Sequence, residues 1–520
     1  MDEIPEKVCD ECGECRQPTV RGCEECGMRY CYKCKEQEHW TKCKNYEVDF
    51  TEEGVCVKAA RDLLPGETIF SECPLVLGPK LPPEDGQVHC VGCCRLVSTE
   101  KVLHCSDCAW PVCDPQCEDL KNPKTHGLEC QVLKLAQTQN FRFEILFPLR
   151  ILFLQTNNKP EWTSLIQLLS NKKSEDPNIH DLNTQNNHVE FLQDNFLVPL
   201  AKVEAETGTM ILEEKSKELL EKIFDYVKTA TFEAPNNSPM QLYYPTVPLI
   251  PHSCTPNSFQ TTTEAPTYKI TIRANSPISK NTPITSSYIN LFEGTHERLF
   301  HLKTTKNALC SCPRCTDPTE LGTFFSALKC LGTRTEPCGG TQLPLEPTSA
   351  STMWVCDKCK IELPNDQMVQ FVRHLGGEVA KVLDRKPTAD ELEEFLAKLL
   401  MFLHPNHFYV CQVKQVLIKL YDGEDLAKTK GDICLSLVEI ARKLYPCGGL
   451  LLVELLHGLF EARFSIMGKS EDLVKNEDVE ELADLVKEMK SVTEALFDPQ
   501  LAQVVTQDAS TFTDWLKNHH

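Results

Sequence analysis

Leu249-Ile250-Pro251-His252-Ser253-Cys254-Thr255-Pro256-Asn257 is followed, more than fifty residues later, by Cys310-Ser311-Cys312-Pro313-Arg314-Cys315. Three thiols in C-x-C-x2-C spacing are one short of the four N or S ligands that tetrahedral zinc takes, so a fourth must come from elsewhere in the chain. Cys254 is the candidate. The 520 residues hold 29 cysteines, most of them in C-x2-C or C-x-C pairs. Met1 to Asp10 has neither a basic n-region nor an apolar h-region, so no secretory signal is read and an intracellular, cytoplasmic or nuclear, chain is expected. Paired cysteines in such a chain point to zinc rather than disulfides.

Outward from that segment, Cys330, Cys338, Cys356 and Cys359 read as a zinc ribbon, with knuckles at Cys338-Gly339-Gly340 and Trp354-Val355-Cys356. A denser cluster runs Cys90, Cys93, Cys105, Cys108, Cys113, Cys117, His126, Cys130. Another opens the chain with Cys9, Cys12, Cys15, Cys23, Cys26, Cys31, Cys34, His39 and Cys43. Each supplies ligands for two zinc ions, giving about six in all with the ribbon and the Cys310 group. Cys56, Cys73, Cys411, Cys434 and Cys447 stand alone and read as small buried hydrophobes.

Against 54 Lys and Arg stand 75 Asp and Glu, a net charge of −21. Phosphate neutralisation needs the opposite sign, so duplex-DNA binding is not expected. Hydrophobic residues at 41% allow ordinary cores, and the length calls for several domains. The apolar run Leu450 to Phe460 is interrupted by Glu454 and His457 and is too short to span a bilayer, so no membrane insertion is expected.

Between the first two clusters, Val55, Val57, Ile69, Phe70 and Val76 surround Leu64-Pro65-Gly66-Glu67, the pattern of short strands about a Pro-Gly turn. From Val132 to about Ala230 the apolar spacing turns helical. Tyr268 to Arg273 alternates with period two, a strand. Beyond residue 363 helices resume, broken at Pro387, Pro405, Gly423 and Pro446 to Gly449, an array of α-hairpins. The acidic runs Glu477 to Glu488 and Asp390 to Glu394 read as solvated helix faces.

Pro251-His252-Ser253-Cys254-Thr255-Pro256-Asn257 resembles the N-H-S-C-x-P-N motif of SET-domain lysine methyltransferases, with Tyr244-Pro245 in the same alignment. Ile284-Thr285-Ser286-Ser287-Tyr288 looks like the strand bearing the family's active-site tyrosine, Cys310 to Cys315 like its post-SET zinc segment, and Ala60 to Glu67 like the first SET half. The cluster from Cys90 to Cys130 resembles a MYND finger, and its insertion after that half gives the order of SMYD-type proteins. The resemblance implies an α+β multidomain fold: an N-terminal MYND-like finger (1–45), a first SET half (46–84), a MYND finger (85–131), a helical insertion (132–240), the second SET half (241–300), a post-SET segment with ribbon (301–362) and a tetratricopeptide-like helical domain (363–520). It also implies ligand sets. One finger zinc would take Cys90, Cys93, Cys113 and Cys117, the other Cys105, Cys108, His126 and Cys130. In the leading finger, two of Cys9, Cys12 and Cys15, here assigned as Cys12 and Cys15, would join Cys31 and Cys34, while Cys23, Cys26, His39 and Cys43 form the other set. His404-Pro405-Asn406-His407 resembles a helix-hairpin turn, and its histidines are not read as ligands.

By the same resemblance Tyr288 would orient a lysine amine, Gly54 and the main chain of His252 would contact S-adenosylmethionine, and the methyl would pass in line to lysine of histone or other proteins. Several positions depart together: Pro251 stands for the motif's asparagine, Ala308 for an adenine-packing aromatic, Lys306 for a second channel tyrosine, and Asn281-Thr282-Pro283 for a G-E-E turn. These favour the alternative of a silent SET scaffold that binds proline-rich partner peptides through MYND fingers and regulates transcription.

Overall fold

The computed structural model describes residues 21–22, 29–30, 45–51, 54–79, 87–98, 102–136, 142–171, 187–235, 238, 240–264, 267–333, 335–445, 448–469, 476–496 and 499–519. The leading finger therefore lies outside the described residues, apart from an antiparallel pairing of Arg21–Gly22 with Arg29–Tyr30. The chain folds as two units, residues 1–251 with 260–284, and residues 252–259 with 285–520.

In the first unit, Tyr46–Thr51 and Gly54–Ala59 form an antiparallel hairpin. Thr68–Glu72 pairs with Ile270–Ala274, and Val76–Pro79 with Met240–Tyr243, so both strands after the Pro-Gly turn are completed by chain from far downstream. That turn closes with the Glu67 N–H on the Leu64 carbonyl at 3.1 Å, and Gly66 takes φ +81° as the third residue of a type II turn must. Alternating side chains fill one core: Val57, Ile69, Leu242, Ile270, Ile272 and Ile284 are all buried. The expected strand from Tyr268 starts two residues later, because Tyr268 sits at φ +45° with its carbonyl accepting the Tyr244 hydroxyl at 2.6 Å.

Helices Leu146–Leu152, Lys159–Asn171, Val198–Thr207 and Lys217–Ala230 realise the helical insertion. Their apolar faces and Trp110 of the finger share a second core, with the Trp110 and Phe143 rings edge to face at 5.5 Å. An interdigitated aromatic anchor of this kind fixes a small finger that has little core of its own.

In the second unit, Leu328–Lys329, Thr341–Pro344, Met353–Cys356 and Glu362–Pro364 form a four-stranded antiparallel sheet in chain order. Among the described residues seven α-helices follow: Asn365–Asp384, Ala389–Leu399, Phe408–Leu420, Ala427–Leu444, Leu450–Lys469, Asn476–Leu496 and Pro499–His519. Four of the breaks between them fall at the expected Pro387, Pro405, Gly423 and Pro446 to Gly449, while those after Lys469 and Leu496 were not expected. Thr388 and Glu391 close a capping box on the second of these helices. Leu482, Leu485, Val486 and Met489 turn inward while Glu477, Asp478, Glu480, Glu481 and Asp484 stay exposed, the solvated face expected. Cys411 and Cys434 are fully buried among the helices. Cys73 is not: it is exposed beside Pro74, where a loop leaves the strand Thr68–Glu72, and Cys56 is half-buried. Cys447 lies outside the described residues. Among the described residues no helix is long and apolar enough to cross a membrane.

Candidate functional site

In the second unit the His252 and Tyr288 segments run side by side. The Ser253 N–H reaches the Ser286 carbonyl at 3.0 Å, the Ser258 N–H the Thr285 carbonyl at 3.0 Å, and the Thr285 N–H the Asn257 Oδ1 at 2.8 Å. The strand expected at Ile284 to Tyr288 is reduced to one parallel bridge, His252 with Ser286. The reason is that side chains take the place of a ladder: Asn257 binds Thr285, Ser287 Oγ accepts the Ile289 N–H at 3.4 Å, and His252 Nδ1 accepts the Tyr288 N–H at 3.1 Å. Accepting at Nδ1 leaves the ring proton on Nε2, which lies 3.3 Å from Cys254 Sγ. Tyr288 is half-buried, its ring 5.8 Å from that of His252 and 5.6 Å from Lys306 Nζ.

The cysteines gather into four groups whose ligand atoms lie within 4.8 Å of one another: Cys90, Cys93, Cys113 and Cys117; Cys105, Cys108, His126 and Cys130; Cys254, Cys310, Cys312 and Cys315; and Cys330, Cys338, Cys356 and Cys359. Thiolates held at about 2.3 Å from one tetrahedral zinc stand about 3.8 Å apart along the edge, far beyond a disulfide's length. The sulfurs of Cys93 and Cys113 are 3.6 Å apart, Cys105 and Cys130 3.8 Å, Cys254 and Cys315 3.5 Å, Cys330 and Cys359 3.5 Å, and Cys338 and Cys356 3.6 Å. All sit near that edge, so the donor sets fit zinc in size and softness. The wide gap between Cys330 and Cys338 closes because the Cys330 N–H binds the Gly340 carbonyl at 2.8 Å and the Gly339 N–H binds the Cys330 carbonyl at 3.1 Å.

Two of the groups are backed by buried ion pairs that the cysteine spacing gave no hint of. His126 has Nε2 3.5 Å from Cys108 Sγ and Nδ1 3.3 Å from Glu129 Oε1, while Arg150 grips Glu129 at 2.9 and 2.7 Å. A carboxylate behind a ligating imidazole fixes its tautomer and raises its basicity. In the second unit Arg298, wholly buried, points Nε at Cys254 Sγ (3.3 Å) and Nη2 at Cys315 Sγ (3.5 Å). Glu320 joins it to Arg314 at 2.7 and 3.0 Å. Burial alone would raise the Glu320 carboxyl, but the two guanidiniums outweigh it and hold it down to about 2. Four thiolates around Zn²⁺ carry two net negative charges, and a buried guanidinium beside them offsets one.

Gly54 lies in the first unit, at φ +140° and the start of its strand. Asn281 occupies the departed G-E-E turn at φ +67°, a left-handed conformation that asparagine tolerates, and its N–H meets the Ala59 carbonyl at 2.8 Å. Asn307, also left-handed, ends the helix Thr295–Lys306, and the next residue, Ala308, donates its N–H to Leu302 at 3.2 Å. Ala308 is thus part of a helix cap.

A family model, the SET domain, matches residues 54–289. The chain is 27% identical over 356 residues to the SET domain-containing protein SmydA-8, isoform A, of Drosophila melanogaster, covering 65% of this chain and 68% of that protein. It is 22% identical over 468 residues to the histone-lysine N-methyltransferase ASHR1 of Arabidopsis thaliana, covering 84% and 88%. A crystal structure of the SET domain of LSMT bound to lysine and AdoHcy aligns at a TM-score of 0.30 and 10% identity, over 93% of this chain and 92% of that one. The match spans both sides of the cysteine-rich finger: this chain carries a SET domain, is homologous to SmydA-8 and matches SMYD-type proteins.

Proposed function

We propose that the chain is a protein-lysine N-methyltransferase that moves the methyl of S-adenosylmethionine to lysine in histone or non-histone proteins. The observation that carries this reading is the fixing of Tyr288 by His252, whose other ring nitrogen faces Cys254 of the four-cysteine group. In-line methyl transfer to a neutral amine asks mainly for positioning and electrostatics. A tyrosine whose main chain is pinned to a metal-braced corner supplies such positioning, and the Tyr288 hydroxyl would orient the amine. S-adenosylmethionine supplies the methyl. Gly54 and the His252 main chain are the residues we assign to it, and zinc, about six ions, to the cysteine groups.

A second reading is a silent SET scaffold that binds proline-rich peptides through its fingers and regulates transcription in nucleus or cytoplasm. Three observations favour it: Pro251 has no N–H to donate, Ala308 has no ring to stack on adenine, and the Lys306 ammonium lies against the Tyr288 ring. Calorimetric titration of the full chain with S-adenosylmethionine separates the two. Binding below hundreds of micromolar, with turnover that falls in Tyr288→Phe while binding persists, supports the enzyme. No binding at that level, with Tyr288→Phe inert, supports the scaffold.

A further inference from the structure

The helix Thr295–Lys306 ends against the candidate site. Arg298, on its first turn, donates to the sulfurs of Cys254 and Cys315. At its other end the Leu302 carbonyl accepts from both the left-handed Asn307 and Ala308, which closes the last turn. Eight residues after Arg298, about 12 Å along the axis, the helix places Lys306. Tyr288 is tied to the same thiol through His252. Lysine and tyrosine are thus both registered to Cys254, and their side chains meet within the second unit, with Lys306 Nζ 5.6 Å from the centre of the Tyr288 ring.

Two lysines occupy the last turn, Lys303 and Lys306, where the helix carbonyls favour positive charge. A lysine in water meets that preference equally well, and Lys303 stays exposed. Lys306 is half-buried and lies against the ring, inside the roughly 6 Å at which an aromatic face attracts an ammonium. The ring it covers is the one assigned above to orienting a substrate amine.

We propose that Lys306 is an internal competitor for substrate lysine: its ammonium holds the Tyr288 ring that an incoming lysine side chain must reach, and the chain restrains itself until Lys306 swings away. The inference rests on the reading of Tyr288 as the residue that receives lysine. Occupant and substrate carry the same functional group, so the ring attracts both by the same quadrupole. A helix anchored at Arg298 keeps the competitor at a high local concentration. The flexible four-carbon stem lets it leave by a change of rotamer, without unwinding the helix. The affinity of an outside ammonium falls with the fraction of time the ring is open, and a partly solvated contact of this kind lowers it about two- to fivefold.

The test uses the full chain and needs no methyl transfer, so its failure is separate from that of the enzyme reading, which the titration with S-adenosylmethionine decides. Limited acetylation with an N-hydroxysuccinimide ester is followed lysine by lysine by mass spectrometry. Lys306 should react about threefold more slowly than Lys303. Tyr288→Leu, which keeps apolar bulk and removes the ring, should restore the Lys306 rate and leave Lys303 unaltered, whereas Tyr288→Phe should keep Lys306 slow. The quaternary probe N-acetyl-Nε-trimethyl-lysinamide, which cannot be acylated, should speed Lys306 labelling in the wild type and not in Tyr288→Leu. In ligand-observed NMR, Lys306→Met should bind that probe about two- to fivefold more tightly than the wild type. Lys306 labelling as fast as Lys303, a Lys306 rate unmoved by Tyr288→Leu, or equal probe affinity in Lys306→Met and the wild type would each overturn the proposal.

Discussion

The Tyr288 main-chain N–H is received by His252 Nδ1 at 3.1 Å, and the opposite nitrogen of the same ring lies 3.3 Å from Cys254 Sγ. One imidazole thus ties the tyrosine's backbone to a thiol of a four-cysteine group. His252→Ala should cut this tie and speed zinc transfer from the protein to a chromogenic chelator several-fold. An unchanged release rate would show that the imidazole contributes nothing to the centre.

Metal content offers a second check. Elemental analysis of purified protein should give about six zinc ions, with Cys254→Ser lowering the count by one and Cys411→Ser leaving it unaltered. Cys254 is fully buried yet gathered with Cys310, Cys312 and Cys315, whereas Cys411 is buried among helices and belongs to none of the ligand groups formed by the described residues. Equal counts in the two variants would remove Cys254 from the ligand set.

Arg298→Met should cost about 3 to 5 kcal/mol, because it leaves a buried carboxylate and the thiolates short of a positive partner. Arg298→Lys should recover only part, since an ammonium is a point charge and cannot reach Cys254, Cys315 and Glu320 together. Urea unfolding midpoints decide this, with an unshifted midpoint in Arg298→Met as the contrary outcome.

Stability should fall toward both ends of the pH scale. His457 binds Asp508 at 2.7 Å and Glu461 at 3.4 Å, and these two acceptors raise its pKa to about 10. A raised histidine stabilises fully below its ordinary value near 6.5 and loses that contribution as pH climbs toward 10. Glu320, held down to about 2, contributes above its ordinary value near 4.5 and loses it as pH drops toward 2. Melting temperature across pH should flatten on the alkaline side in Asp508→Asn. A wild-type curve level from pH 6.5 to 10 would contradict the pairing.

Much of this architecture could be read from residue spacing because zinc geometry and helix periodicity are both local codes. The cysteines of the Cys90 to Cys130 finger and of the ribbon stand out because thiols have few reasons to recur in pairs, and Cys254 stands out because Cys310, Cys312 and Cys315 lack a fourth ligand. Four of the helix breaks in the C-terminal array follow from proline and glycine. What escaped was decided by tertiary contact. Arg298, Arg314 and Glu320 look like ordinary surface charges in the sequence, and nothing in their spacing says that they are buried together. The strand expected at Tyr288 failed because serine, asparagine and histidine side chains satisfy its amides in place of a neighbouring strand. His407 reads as part of a turn, and its capping of the helix Phe408–Leu420 follows from that position; that its Nε2 lies buried with no partner among the described residues depends on packing that no local pattern encodes.

The cysteine groups differ in how far water and oxidants can reach them. Cys254 and Cys315 are wholly enclosed beside a guanidinium, while Cys359 of the ribbon is exposed and Cys338 partly so. Oxidation of thiolates follows access. Under peroxide the ribbon, with exposed Cys359, should therefore fail before the Cys254 group, whose most accessible thiol is the half-buried Cys312. Since Pro344 and Trp354 of the ribbon sheet also wall a cavity of about 360 Å³ together with Val372 and Phe408, the first injury from oxidative stress would fall there, with the Tyr288 corner still intact.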